Sequence, residues 1–263
     1  MLGLPAGLPL TGERTAPDVP AENYWFRRHQ AAYAWAVQHA RGRRVLEVGC
    51  GEGYGADTLA AVATRVVGVD YDALAVAHAA RRYSRPRFVR ANLAALPVRT
   101  GSVELVATLQ VVEHVWHHGQ FLRECRRVLA AGGLVLVTTP NRLTFSPGRE
   151  TPLNPFHTVE FSAAELLDLL ARCGLEASFV GGLHAGPRIA ELDAAHGGSL
   201  VDAQLAAPPD EWPAALAAAV AAVRSEDFAV LDAAAHDVDL ALDLVMLAAP
   251  AGAPDRRAAG FVG

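Results

Sequence analysis

The sequence contains no lysine: all 23 of its basic residues other than histidine are arginine. Together with heavy alanine usage, this reads as a GC-rich coding bias and carries no function of its own. The arginines are not gathered into a basic stripe. With 28 acidic residues the formal charge is -5, which disfavours a polyanionic partner such as nucleic acid. Cysteine is scarce. Cys50, Cys125 and Cys173 are an odd number without CxxC spacing, which argues against a disulfide framework or a zinc site and fits a reducing compartment. Long apolar runs are missing as well. The longest helix-like run, PAALAAAVAAV from Pro213, is too short to span a bilayer. The opening MLGLPAGLPL is broken by Pro and Gly with no basic residue ahead of it, and makes a poor signal peptide. The expected location is cytoplasmic.

What is present is a globular composition, 52% hydrophobic over 263 residues, enough for a single α/β domain with a real core. Short β-rich runs alternate with helical patterns. RVLEV (44–48), RVVGVD (65–70), RFVRAN (87–92), VELVATL (103–109) and GLVLVTT (133–139) read as strands, with helices over 56–63, 72–83 and 119–129. Such alternation implies right-handed crossovers and a parallel sheet buried on both faces. The stretch TPNRLTFSPGRETPLNPFH carries four prolines and reads as irregular. A helix resumes after Ser162, with Glu165 completing a capping box. LEASFV (175–180) is a sixth strand, and Arg188 to Asp232 reads as helical. The resulting expectation is one domain over 1–263. It comprises an N-terminal helix (22–41), a nucleotide-binding half (44–140), a lid loop with helix and strand (141–187), a helical insertion (188–238) and a last strand (242–249). The fold class is α/β, a doubly wound, mostly parallel, seven-stranded sheet. The tail AGAPDRRAAGFVG is expected to fray.

In open α/β sheets, ligands bind at the carboxyl ends of strands where strand order reverses. The first β-to-α loop here is GCGEGYGA. Gly49, Gly51 and Gly53 remove side chains where a ligand touches backbone or where φ is positive. Asp70 ends the second strand about twenty residues on, placed to accept both hydroxyls of a ribose. A dinucleotide site wants GxGxxG directly after the strand. Counting from Gly49, its third glycine falls on Tyr54, and the register fails. An acid followed by GxGxG fits without adjustment at Glu47, Gly49, Gly51 and Gly53, and suits a ligand with an ammonium group and no pyrophosphate, S-adenosylmethionine (SAM).

With LEVGCGEGYG, VVGVDYD, ANLAALP, LQVVEHV and VLAAGGLVLVTTPN in order, the chain resembles the class I SAM-dependent methyltransferases over about Arg44 to Val180. The resemblance implies a Rossmann-like methyltransferase fold. It implies that Glu47 and the three glycines hold the methionine portion and Asp70 the ribose, with Tyr71 beside the adenine. Asn92 and Leu93 would meet the adenine, Asn92 standing where Asp is usual, and Gln110 would line the methionine side. The methionine carboxylate needs a cation. With lysine absent, Arg27 and His29 of the N-terminal segment are the candidates, with Tyr33 one turn further along the face of His29.

Methyl transfer is an in-line displacement at a sulfonium, so the enzyme supplies alignment and, for a hydroxyl acceptor, a base. The polar groups near the reacting end are Glu113, His114, His117, His118, His157 and Glu160. His157 is the first candidate base, and Glu113 and His114 are further catalytic candidates with a helix-start or loop-holding role as the alternative. QVVEHV also resembles quinone-pathway O-methyltransferases, in which a Glu-x-x-Glu-His set can hold a divalent ion. Gln110 replaces the first Glu, and the expectation is no metal. Over almost the whole chain, LTGERTAPDVPAENYWFRRHQ, TPNRLTFSPGRETPLNPFHTVEF and DAAHGGSLVDAQ resemble actinobacterial methyltransferases assigned to O-methylation of 6-O-methylglucose lipopolysaccharide. That implies a sugar or glycolipid acceptor, on which Trp25, Trp116, Tyr24 and Phe156 could stack or could equally be core. Small-molecule or quinone O-methylation, and SAM binding without catalysis, stand as alternatives.

Overall fold

The chain approaches the sheet through α1 (Asn23–Ala40), preceded by a short 3-10 turn. The β-branched runs then form β1 (Arg44–Val48), β2 (Arg65–Asp70) and β3 (Arg87–Arg90), with α2 (Tyr54–Ala60) and α3 (Ala73–Arg82) as crossovers. β4 (Val103–Leu109), α4 (His118–Val128) and β5 (Leu129–Pro140) complete five parallel strands. The structure, a computed structural model, describes residues 14–252. The opening MLGLPAGLPL and all but the first two residues of the tail AGAPDRRAAGFVG therefore lie outside the described residues.

Beyond β5 the chain forms α5 (Arg142–Phe145), α6 (Ala163–Arg172) and β6 (Leu175–Ala185). It continues through α7 (Pro187–Ala195), α8 (Leu200–Leu205) and α9 (Ala214–Ala222) to β7 (Phe228–Asp232) and β8 (Asp243–Pro250). The strand order is β3-β2-β1-β4-β5-β8-β6-β7, so order reverses beside β1, where β2 and β4 flank it. Pairing of β8 with β5 and β6, and of β7 with β6, is antiparallel.

The sheet has eight strands, which corrects the expected seven. The additional strand, β7, lies in the stretch read as helical and pairs with the second half of β6, from Gly181 to Ala185. The Gly181–Gly182 pair made β6 look finished at Val180. Those glycines instead mark close approach: a Cβ on Gly181 would run into the Leu231 carbonyl of β7, and one on Gly182 into Ala241. Two smaller corrections concern the proline-rich stretch. β5 runs on through Pro140, and Asn141 caps the four-residue α5 by accepting from the Leu143 amide. The Ser162 capping box forms as expected, with Glu165 Oε2 accepting from the Ser162 amide at 2.8 Å.

Both faces of the sheet are covered. Phe121 and Leu122 of α4 and Leu166 and Leu170 of α6 pack on one side. Ala32, Ala36 and Ala40 of α1 and Leu59 of α2 pack on the other. Small alanines bring α1 close to the strands. At its first turns α1 does something different. Arg28 is buried, and its guanidinium takes the Asp243 carboxylate in a fork, Nε to Oδ2 at 2.7 Å and Nη2 to Oδ1 at 2.5 Å, with a further bond to the Leu242 carbonyl. This pair fixes both the height and the rotation of α1 above the start of β8.

Breaking one partner of a buried ion pair leaves the other uncompensated and costs about 3–5 kcal/mol. Arg28→Met is expected to lose that much in urea unfolding, and the double variant Arg28→Met/Asp243→Leu to recover a large part of it. A single variant as stable as the parent would remove the pair from its anchoring role.

Candidate functional site

The loop between β1 and α2 carries its glycines for three different reasons. Gly49 has φ 78°, and a side chain there would strike Val111 of the segment after β4. Gly51 has φ 50°, with nothing nearer to a built Cβ than Arg14 Cβ at 3.8 Å, so the space over it is open. Gly53 has φ 101° and faces Ala79, Tyr83 and Phe88. Gly53 therefore seats α3 against the loop and is not on the cavity wall, whereas Gly49 and Gly51 are. Glu47, another expected contact, leaves the wall as well. It is fully buried beneath the loop and accepts from the Tyr33 hydroxyl at 2.5 Å. Gly55 makes room for this pair, since a Cβ would overlap the Tyr33 ring and the Glu47 carboxylate. Burial pushes the Glu47 carboxyl up to about 8, against a lowering by the Tyr33 hydrogen bond.

Above the loop lies a cavity of about 660 Å³, and Tyr33, Asp70, Tyr71, Asn92, Leu93 and Gln110 all line it. Asp70 accepts from the Gly51 amide at 2.8 Å on Oδ2 and from the Asp72 amide at 2.9 Å on Oδ1. Each oxygen keeps a lone pair for a further donor, such as a sugar hydroxyl. Asn92 Oδ1 accepts from the Ala94 amide, so an adenine amino group would share that oxygen. Gln110 has φ 57°, the one positive value at a non-glycine among the described residues. It is held by its amide to the Thr138 carbonyl at 2.9 Å. Strained backbone of this kind persists where surrounding structure over-determines it and gathers at functional sites.

The two expected cations are placed differently from one another. Arg27 lies along its own helix, bonding Asn23 and Gln30 and covering the Phe26 ring, and it lines neither this cavity nor its neighbour. The rotation that buries Arg28 turns Arg27 away. His29 does reach the wall, but burial lowers its pKa to about 4, so it is neutral near pH 7. It shares contacts with Thr15 Oγ1 and the Tyr54 hydroxyl. The arginine that reaches this wall among the described residues is Arg14, bonded to Asp72 at 2.8 Å. Elimination among all arginines ahead of β1, rather than those inside the helix, would have included it.

A second cavity of about 890 Å³ shares Arg14, Thr15, His29, Gln110, His114 and His157, among others, with the first. At the shared wall, His157 Nδ1 lies 2.7 Å from Glu160 Oε1, and His114 Nδ1 lies 3.1 Å from the Phe156 carbonyl. The His157 ring is bracketed by Phe145 and His114. Thr158 locks this loop to the segment after β4, its hydroxyl donating to the Glu113 and Val115 carbonyls. Glu113 is fully buried. It accepts from the Thr139 hydroxyl through Oε2, and burial drives its carboxyl up to about 8. Glu113, His114 and His157 offer ligand atoms within 4.8 Å of one another. His117 lies at the start of α4, and His118 Nε2 stands 3.3 Å from the Thr158 hydroxyl.

A family model described as a methyltransferase domain matches residues 46–137. A protein of Mycolicibacterium smegmatis named as a probable S-adenosylmethionine-dependent methyltransferase is 54% identical over 93% of this chain and 96% of its own. The chain belongs to the SAM-dependent methyltransferases. A Mycobacterium tuberculosis protein of the same description is 53% identical over 93% of this chain and 90% of its own. The fold is also that of a chain in a solved complex of the Haloferax volcanii Trm112 methyltransferase activator with a protein named there as a putative methyltransferase. That match has a TM-score of 0.61 at 17% identity, over 89% of this chain and 96% of the other. The cofactor of this methyltransferase is SAM, and the cavity suits it, with bare backbone at Gly49 and Gly51 and a carboxylate with spare lone pairs at Asp70. No helix among the described residues is long and apolar enough to cross a membrane.

The Glu47 carboxyl makes a pH prediction. Its pKa rises from 4.5 to about 8 on folding, so between those values the folded protein holds a proton that the unfolded chain releases. Its contribution is complete below about 4.5 and is lost as pH rises through about 8. The melting temperature of the native enzyme is therefore expected to fall more steeply from pH 5 to pH 8 than that of Glu47→Gln, measured by calorimetry. Parallel curves would show that Glu47 is ionised in the folded state.

Proposed function

We propose that this methyltransferase transfers the methyl group to a hydroxyl of a sugar chain held in the second cavity, with His157 as the general base. The observation that carries the reading is the position of His157 on the wall common to both cavities. The second cavity's volume of about 890 Å³ suits an extended acceptor. Trp25, Phe145 and Phe156 give it flat apolar faces, and Asp193, Ser199 and Asp202 of the α7–α8 region give it groups for hydroxyls. Tyr24 borders it too but is only 2% exposed and belongs to the core, while Trp116 stands at the cofactor cavity.

Bound SAM supplies a methyl group on a positively charged sulfonium, which becomes a neutral thioether when the acceptor oxygen takes that carbon. The protein's part is alignment and proton removal. Gln110 and the glycine loop set the cofactor side, the second cavity sets the hydroxyl, and His157 Nε2 takes the hydroxyl proton as the new C–O bond forms. Arg14 takes the methionine carboxylate, since a guanidinium pairs with a carboxylate in a fork and Arg27 and His29 are unsuited. No metal enters this account.

Two experiments test these assignments. Arg14→Ala should weaken SAM by at least tenfold, the scale of one or two charge-assisted bonds. It should weaken 5′-methylthioadenosine, which lacks the carboxylate, far less. Equal losses would reduce Arg14 to a link with Asp72. Labelled SAM incubated with short α-glucans, a glycolipid and a catechol quinone precursor, each with and without EDTA, is expected to label the glucan in both conditions. His157→Ala should lose at least a hundredfold in kcat with unchanged SAM affinity. Label on the catechol alone would replace the sugar reading with small-molecule methylation. Activity abolished by EDTA and restored by a divalent ion would make Glu113, His114 and His157 a ligand set.

A further inference from the structure

The geometry points to Glu160 as the positioning residue of the methyl transfer, the buried carboxylate that fixes the His157 imidazole in the form able to take a proton. The inference rests on the reading of His157 as the base. Glu160 Oε1 stands 2.7 Å from His157 Nδ1, with side-chain exposures of 1% and 4% respectively. Its other oxygen, Oε2, is buried and has no hydrogen-bond partner among the described residues. No arginine forms an ion pair with Glu160 among the described residues; its charge partner there is the His157 imidazole. A carboxylate buried in this way stabilises charge on whatever it touches.

Two consequences follow for the ring. Nδ1 donates to the carboxylate, which leaves the Nε2 lone pair as the basic site. When Nε2 gains the acceptor's proton, the imidazolium forms against a negative charge already in place, as in other carboxylate–histidine pairs. The ring cannot swing freely to another arrangement, because Phe145 and His114 bracket it at 5.6 and 4.8 Å between centroids. Its loop is pinned on one side by Thr158 to Glu113 and Val115. On the other side, the Ser162–Glu165 box begins α6 two residues after Glu160. Glu160 thus comes from the rigid end of the loop. The other titratable groups near His157 are His114 and Glu113 from the segment after β4. Asp243 of β8, which pairs with Arg28 of α1, and Glu160 both act on Glu113, each raising its carboxyl.

The test compares Glu160→Gln, Glu160→Asp, His157→Ala and the double variant His157→Ala/Glu160→Gln, each checked for folding by circular dichroism and for SAM affinity by calorimetry. Nitrogen NMR of the imidazoles, with the His157 signal assigned from His157→Ala, reads the tautomer without any acceptor. The native enzyme is expected to show His157 protonated on Nδ1, and Glu160→Gln to lose the dominance of that tautomer. In turnover with the α-glucan, Glu160→Gln should lower kcat at least tenfold with KM values within about twofold. Glu160→Asp, which keeps the charge but draws it back from the ring, should fall between the native enzyme and Glu160→Gln in tautomer ratio and kcat. The second substitution in the double variant should cost nothing further. If His157→Ala retains full kcat, the base reading falls. If His157→Ala is impaired while Glu160→Gln keeps the native tautomer and kcat, the positioning role alone falls. Should Glu160→Gln fail to fold, Glu160→Asp carries the same decision: a tautomer ratio unmoved by the shortened carboxylate, with unchanged kcat, would overturn the inference.

Discussion

The ion pair between Arg28 and Asp243 is the constraint on which the site depends. It joins the first long helix to the start of the last strand, residues far apart in the chain. With Arg28 turned down onto β8, the helix has one rotation left. Tyr33 then reaches Glu47 under the glycine loop, His29 meets Tyr54 and Thr15, and Tyr24 packs on Phe228. One buried guanidinium therefore sets the floor, the end wall and part of the rear core together. Its cost in desolvation is offset because both fork bonds and a backbone carbonyl satisfy it.

Much of this was legible in the sequence where chemistry and periodicity agree. The strand–glycine loop–strand–acid order placed Gly49, Gly51 and Asp70 on one wall, because a parallel sheet must put its strand ends there. Helical spacing put Tyr33 on the face of His29, and both line the cavity. The limits were also physical. Arg27 and Arg28 are neighbours in a helix and point about 100° apart, and nothing local tells which one the core takes. Strand β7 was hidden because the half of β6 that it pairs with opens on Gly181 and Gly182, a signal that means a break as often as a close approach. Glu47 reads as a ligand contact by motif, but its place beneath the loop depends on Gly55 and Tyr33, which meet it only in three dimensions.

The loop after β5 shows how an irregular stretch becomes exact in placement. Beyond the four-residue α5 its prolines prevent a longer helix or a strand, and its polar side chains supply the order instead. Asn141 caps α5 and bonds the Val238, Asp239 and Ala241 carbonyls, Asn154 caps the turn before His157, and Thr158 hooks to the neighbouring segment. Side chain to backbone bonds thus replace the missing ladder. This is how a loop carries a reacting group with the precision of a strand.

Gln110, His114 and His157 each face two cavities at once, and this has a thermodynamic corollary. Any occupant that shifts one of these side chains alters the free energy of filling the opposite chamber. By linkage, the factor by which the acceptor changes affinity for the cofactor equals the factor by which the cofactor changes affinity for the acceptor. The partition between the chambers is made of protein side chains, so that reciprocity is a property of the wall and holds for the spent thioether as well as for the methyl donor.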